Sequence, residues 1–130
     1  MSDFTLANIA DGENMTAGSP LAEQVEFRRL RAELDSEHLG VGHFRLQPDF
    51  RVPFGHRHGQ QEEVYVVLAG SGRFKVNDEV ISVKQHDILR VAPQAWRAFE
   101  SGPDGLELLV TGSGRPPEGD GEREPNWWTD

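Results

Sequence analysis

Apolar and polar positions alternate in short runs along most of this chain, and glycine and proline break the runs at close intervals. Val64 to Leu68 is continuously apolar and rich in β-branched residues, which predicts a buried strand. Gly70-Ser71-Gly72 then predicts a turn and Arg73 to Val76 another strand. Asn77-Asp78 predicts a hairpin turn, with Glu79 to Val83 returning. Ile88 to Val91 reads as a short strand, residues 92 to 95 as a loop and Trp96 to Phe99 as a strand. A turn is predicted at 101 to 105, before a last strand from Leu106 to Thr111. Upstream, Leu39 to Gln47 alternates like a strand, although Gly40 and Gly42 weaken the pattern. Val25 to Arg31 fits a strand, but Phe27, Leu30 and Leu34 also fit helical spacing. Many short strands punctuated by turns predict an all-β sandwich or closed barrel.

The ends of the chain read differently. Residues 1 to 24 are mixed, an arm with one short strand expected near Phe4 to Ile9. From Gly112 onward the chain is rich in glycine, proline and acid, which predicts a solvated tail, its acidic stretch Glu118 to Glu124 included. Trp127-Trp128 is the exception, because paired indoles need a surface of this or a partner subunit to dock on.

The 130 residues suit one domain. The formal net charge is −9, with 22 acidic against 13 basic residues, so no basic stripe is available for nucleic acid or an anionic membrane. Cysteine is absent, which excludes disulfides and thiolate metal sites. Met1 to Gly18 carries three acids and no long apolar stretch, so it does not read as a signal peptide. No run approaches the roughly 18 apolar residues of a membrane span. A soluble cytoplasmic protein is expected.

The candidate chemistry sits in one segment. His56 and His58 are one residue apart on an extended stretch, so their imidazoles project to the same side. Glu63 follows after a four-residue turn, at the start of the apolar run. Two imidazoles and a carboxylate form a candidate divalent-metal site. Tyr65 and Val67 share the parity of Glu63 and are expected to point inward with it.

His56, His58, Glu63 and Gly70 fall on the spacing of the first motif of the cupin superfamily, His-x-His, four residues, Glu, six residues, Gly. The leading Gly of that motif is replaced by Phe50. The second motif, Gly, five residues, Pro-x-Gly, two residues, His, three residues, Asn, is degraded. Laid on residues 86 to 101, it puts His86 at the first Gly, Ala92 at the Pro, Gln94 at the second Gly, Arg97 at the His and Ser101 at the Asn. Shifting by one residue puts Ala98 at the His instead. The chain thus resembles a small single-domain cupin with one intact motif. The resemblance implies a double-stranded β-helix, or jelly-roll barrel, over about residues 25 to 111. It also implies a homodimer, and a single divalent metal (Fe, Mn, Ni or Zn) held in the barrel.

Two readings of the site stay open. In one, His56, His58 and Glu63 form a facial triad, and Arg97 with Tyr65 meets a small anionic ligand, as in a metal-dependent oxygenase or isomerase. In the other, Arg97 pairs with Glu63, and its fixed charge repels a cation, leaving a metal-free binding or scaffold barrel. His43 is a candidate substitute ligand or a core histidine. His86 reads as a solvated loop residue, and Trp96 as a filler of the cavity or an interface.

Overall fold

The computed structural model describes residues 3–130. Among the described residues, nine strands form one curled antiparallel sheet: β1 (Glu13–Asn14), β2 (Val25–Arg29), β3 (Leu39–Leu46), β4 (Phe54–His58), β5 (Glu63–Val76), β6 (Glu79–Lys84), β7 (Ile88–Val91), β8 (Arg97–Ser113) and β9 (Gly121–Pro125). One helical turn, α1 (Arg31–Leu34), follows β2, so the strand and helix signals in that stretch are both realised, one after the other. The arm departs from expectation. Phe4 to Ile9 is not a strand; a 3-10 turn at Ile9–Asp11 precedes β1, which pairs with β2.

The architecture turns on two long strands. β8 pairs with β5 along almost its whole length, while its second half also pairs with β3 and its first residue, Arg97, with His56 of β4. The predicted turns at 70–72 and 101–105 are therefore bends inside continuous strands. The register slips between Val67 and Ala69 and again between Gly70 and Gly72, and such bulges bend a strand and sharpen its twist. Gly70 and Gly105 face each other there with φ of 80° and 78°, a region that glycine enters without steric cost. A Cβ on Gly70 would run into the carbonyl of Gly105, so two backbones approach where neither can carry a side chain.

Inside the curl, Tyr65, Phe74 and Phe99 meet at ring-centroid distances of 5.0 to 6.0 Å. Val25, Leu46, Val52, Val67, Val83, Val91, Leu106, Leu108 and Val110 complete the core. These positions obey the period-two alternation expected of a half-buried sheet.

The C-terminal segment is not a free tail. β9 adds to the edge of β4 with Phe54 opposite Pro125 and His58 opposite Gly121. Trp128 is buried, with Arg51 stacked 4.1 Å from its ring centroid, and Trp127 stacks on Trp96 at 6.3 Å. Both indoles thus dock on their own chain, and Trp96 is taken up by Trp127 on one hand and the Arg57 guanidinium, 4.7 Å from its ring centroid, on the other. A Cβ on Gly55 would lie 2.8 Å from the Trp127 ring. Gly55→Ala is expected to cost about 1–3 kcal/mol by overpacking, read as a lowered urea midpoint with altered tryptophan fluorescence. An unchanged midpoint would mean that the indole does not rest on residue 55. No helix among the described residues is long and apolar enough to cross a membrane.

Candidate metal centre

β4 and the start of β5 bring the three sequence-predicted ligands together. His56 and His58 project from alternate positions of β4, their rings 5.3 Å apart and nearly perpendicular. Glu63 Oε1 lies 3.4 Å from His56 Nε2 and 3.5 Å from His58 Nε2. One ligand atom from each residue lies within 4.8 Å of the others. Two donors bound at the usual ~2.1 Å to one tetrahedral or octahedral ion stand roughly 3.0–3.4 Å apart, so the carboxylate is at ligand spacing from both imidazoles. The group could bind a metal. All three side chains are mostly buried but reach solvent, with exposures of 22%, 16% and 13%.

Two further groups crowd Glu63. Tyr65 Oη donates to Glu63 Oε1 at 2.8 Å. Arg97, with no exposed surface, places Nη2 3.2 Å from the same oxygen, while its Nη1 donates to the carbonyls of Pro93 and Ala95 at 3.0 and 2.8 Å. Arg97 Nε and Nη2 make no hydrogen bond, so the guanidinium is anchored at one nitrogen and holds Glu63 by charge. Arg97 does sit beside the ligands, as the second-motif register predicts. Its contact is with the carboxylate.

The remaining histidines lie elsewhere. His43 is buried outside the ligand group, its Nε2 2.7 Å from Glu107 Oε2, which Arg45 also contacts at 2.9 Å. It is not a substitute ligand. His86 is exposed in a tight turn with φ of 76°.

One contact to the ligand group was not expected from sequence. Asp120, placed by sequence in a solvated acidic stretch, has a nearly buried side chain, and its Oδ2 lies 3.2 Å from His58 Nδ1. A carboxylate behind a ligand histidine is the usual device for setting its orientation.

The electrostatics suit ligation. Burial, with Arg97 and His58 acting the same way, holds the His56 imidazole below its ordinary value against the opposing pull of Glu63, which favours the neutral form that coordinates. Burial works to raise the Glu63 carboxyl, but its close contacts with His56 and His58 and the Arg97 charge outweigh it and hold Glu63 well below the usual carboxylate range. Burial pushes the Tyr65 phenol well above its usual value, so Tyr65 stays a donor.

A pH dependence follows for the chelated protein. His56 has a depressed folded-state value, so below its ordinary 6.5 the unfolded chain takes up a proton that the folded chain does not. Stability therefore falls as pH drops through that value. Glu63 adds a loss of the same sign only below its ordinary 4.5. Urea midpoints are expected to decline from about pH 7.5 to about pH 5, and His56→Gln should flatten that slope. An unchanged slope in the variant would mean that His56 does not carry it.

Among curated proteins nothing matches the chain. Solved structures share its fold. A cupin protein from Bacteroides fragilis is 23% identical with a TM-score of 0.69, over 88% of this chain and 86% of that one. Oxalate decarboxylase from Bacillus subtilis is 22% identical with a TM-score of 0.76; 94% of this chain spans 32% of the decarboxylase, about a third of its length. A point variant of Streptomyces PAC13, solved with uridine, is 13% identical with a TM-score of 0.73, over 92% and 89% of the two chains. A family model described as the cupin domain matches residues 42–112, the stretch that holds the His-x-His pair, Glu63, Gly70 and both bends in the long strands, and the chain belongs to that family.

Proposed function

We propose that this cupin holds one divalent first-row cation on His56, His58 and Glu63 and presents it to a small anionic molecule at the mouth of the barrel. The spacing of the three ligand atoms supports this reading most directly. Three protein ligands leave coordination positions open, the arrangement of a site that admits an exogenous molecule. A bound cation would act as a Lewis acid toward an oxygen of that molecule.

This chain's own residues would do the rest. Tyr65 and Arg97 hold Glu63 against the two imidazoles. Arg97 offsets the charge of Glu63, so a divalent ion there leaves the centre cationic and favours an anion at the open side.

The test is a calorimetric titration of chelated protein with Mn²⁺ or Co²⁺ under reducing conditions. Close to one ion per chain is expected. Protein that takes up neither ion would overturn the reading.

A second reading rests on the 3.2 Å pair between Arg97 and Glu63, which is already complete without a cation. In that case the barrel binds a small anion with no metal. Small carboxylates would then raise the melting temperature equally with and without chelator, a result the metal reading does not produce.

A further inference from the structure

We propose that Asp120 is a positioning residue of the metal centre: it fixes His58 with the Nε2 lone pair turned toward Glu63, and strand β9 carries it there. The inference rests on the metal-binding reading above.

A neutral imidazole has one N–H, and an ionised carboxylate can only accept. His58 faces a carboxylate at each nitrogen, Asp120 Oδ2 at 3.2 Å from Nδ1 and Glu63 Oε1 at 3.5 Å from Nε2. The proton goes to one of them. Placed on Nε2 it would point at Glu63 and block ligation. Placed on Nδ1 it satisfies Asp120 and leaves Nε2 free. Glu63 Oε1 already takes the Tyr65 hydroxyl and the Arg97 charge, whereas Asp120 Oδ2 has only a longer bond, 3.4 Å, from the Gln61 amide. The Nδ1–H form, the one that coordinates, is therefore favoured before any metal arrives.

Asp120 is itself held in place. Its Oδ1 accepts the Gln60 amide at 2.8 Å and its backbone carbonyl accepts the Gly59 amide at 2.9 Å. These bonds tie it to the loop between His58 and Glu63. Downstream, β9 pairs with β4 over five residues, and Trp128 is buried. A segment distant in sequence thus sets the donor state of a ligand on β4.

The test uses full-length chelated protein and two variants, Asp120→Ala and Asp120→Asn. Nitrogen-15 NMR of the imidazoles reads the His58 tautomer, and calorimetry reads Mn²⁺ or Co²⁺ affinity. In the native protein His58 should be the Nδ1–H form. Asp120→Ala should move it toward Nε2–H and weaken metal binding roughly 10- to 100-fold. Asp120→Asn keeps an acceptor for the Gln60 amide and should lose less affinity with β9 still docked, which separates a change at His58 from a collapse of the segment. The proposal is overturned if the tautomer is the same in all three proteins, or if both variants bind within twofold of native. If the native protein takes up no metal, the metal reading fails by itself, and the tautomer comparison still decides whether Asp120 governs His58.

Discussion

Replacing His58 with alanine is expected to abolish divalent-metal uptake. The substitution leaves His56 and Glu63, too few ligands to hold a first-row ion against water, so a loss of roughly 100-fold or more is expected. The fold should survive, because β4 is held by backbone bonds that the side chain does not make. His58 pairs with Gly121 in the sheet, and its amide donates to the Pro93 carbonyl at 2.7 Å. His38→Ala is the control, since that ring is 86% exposed and away from the ligand group. Calorimetry on the two variants with an unfolding curve for each separates ligand loss from misfolding. Retained uptake in His58→Ala would show that the ion sits elsewhere.

Arg97→His is expected to act in the opposite direction and to raise metal affinity by about tenfold or more. Arg97 pairs directly with His56 across β4 and β8, so an imidazole at 97 would start beside the existing ligands. The guanidinium reaches 3.2 Å from the carboxylate oxygen that both histidines face. At roughly 5 Å and an effective dielectric near 20, a unit charge and a divalent ion repel by about 6–7 kcal/mol. Solvent at the mouth and the intervening Glu63 reduce that figure, but a quarter of it is already about tenfold in affinity. The substitution removes this repulsion and supplies a fourth nitrogen ligand. The variant also loses bonds to Pro93 and Ala95, so its metal-free form should be less stable and should regain stability on loading. Affinity no higher than native would mean that the guanidinium does not oppose the ion.

The ligand group was legible in the sequence because its geometry is local. Period-two alternation puts His56 and His58 on one side of one strand, and Glu63 opens the next apolar strand after a short turn. The hairpin at Asn77-Asp78 and the strand Ile88–Val91 were legible for the same reason. What sequence missed is set by partners far along the chain. Gly70-Ser71-Gly72 and residues 101–105 look like turns, yet each bends through a continuous strand because β5 and β8 pair around the corner together. Asp120 lies in a stretch with no apolar alternation, since every residue of β9 is exposed and pairing with β4 is its only reason to be extended. Its one advance signal was indirect, the tryptophan pair that required a docking surface on one subunit or another. His43 was ambiguous for the same reason, as its partner Glu107 is 64 residues away.

A crystal grown with Mn²⁺ and measured for anomalous scattering bears most directly on the centre of this protein. One strong anomalous peak per chain is expected, at bonding distance from His56 Nε2, His58 Nε2 and a Glu63 carboxylate oxygen. Density with no anomalous peak there, and the Arg97 guanidinium still closed on Glu63, would leave a cupin barrel without a metal centre.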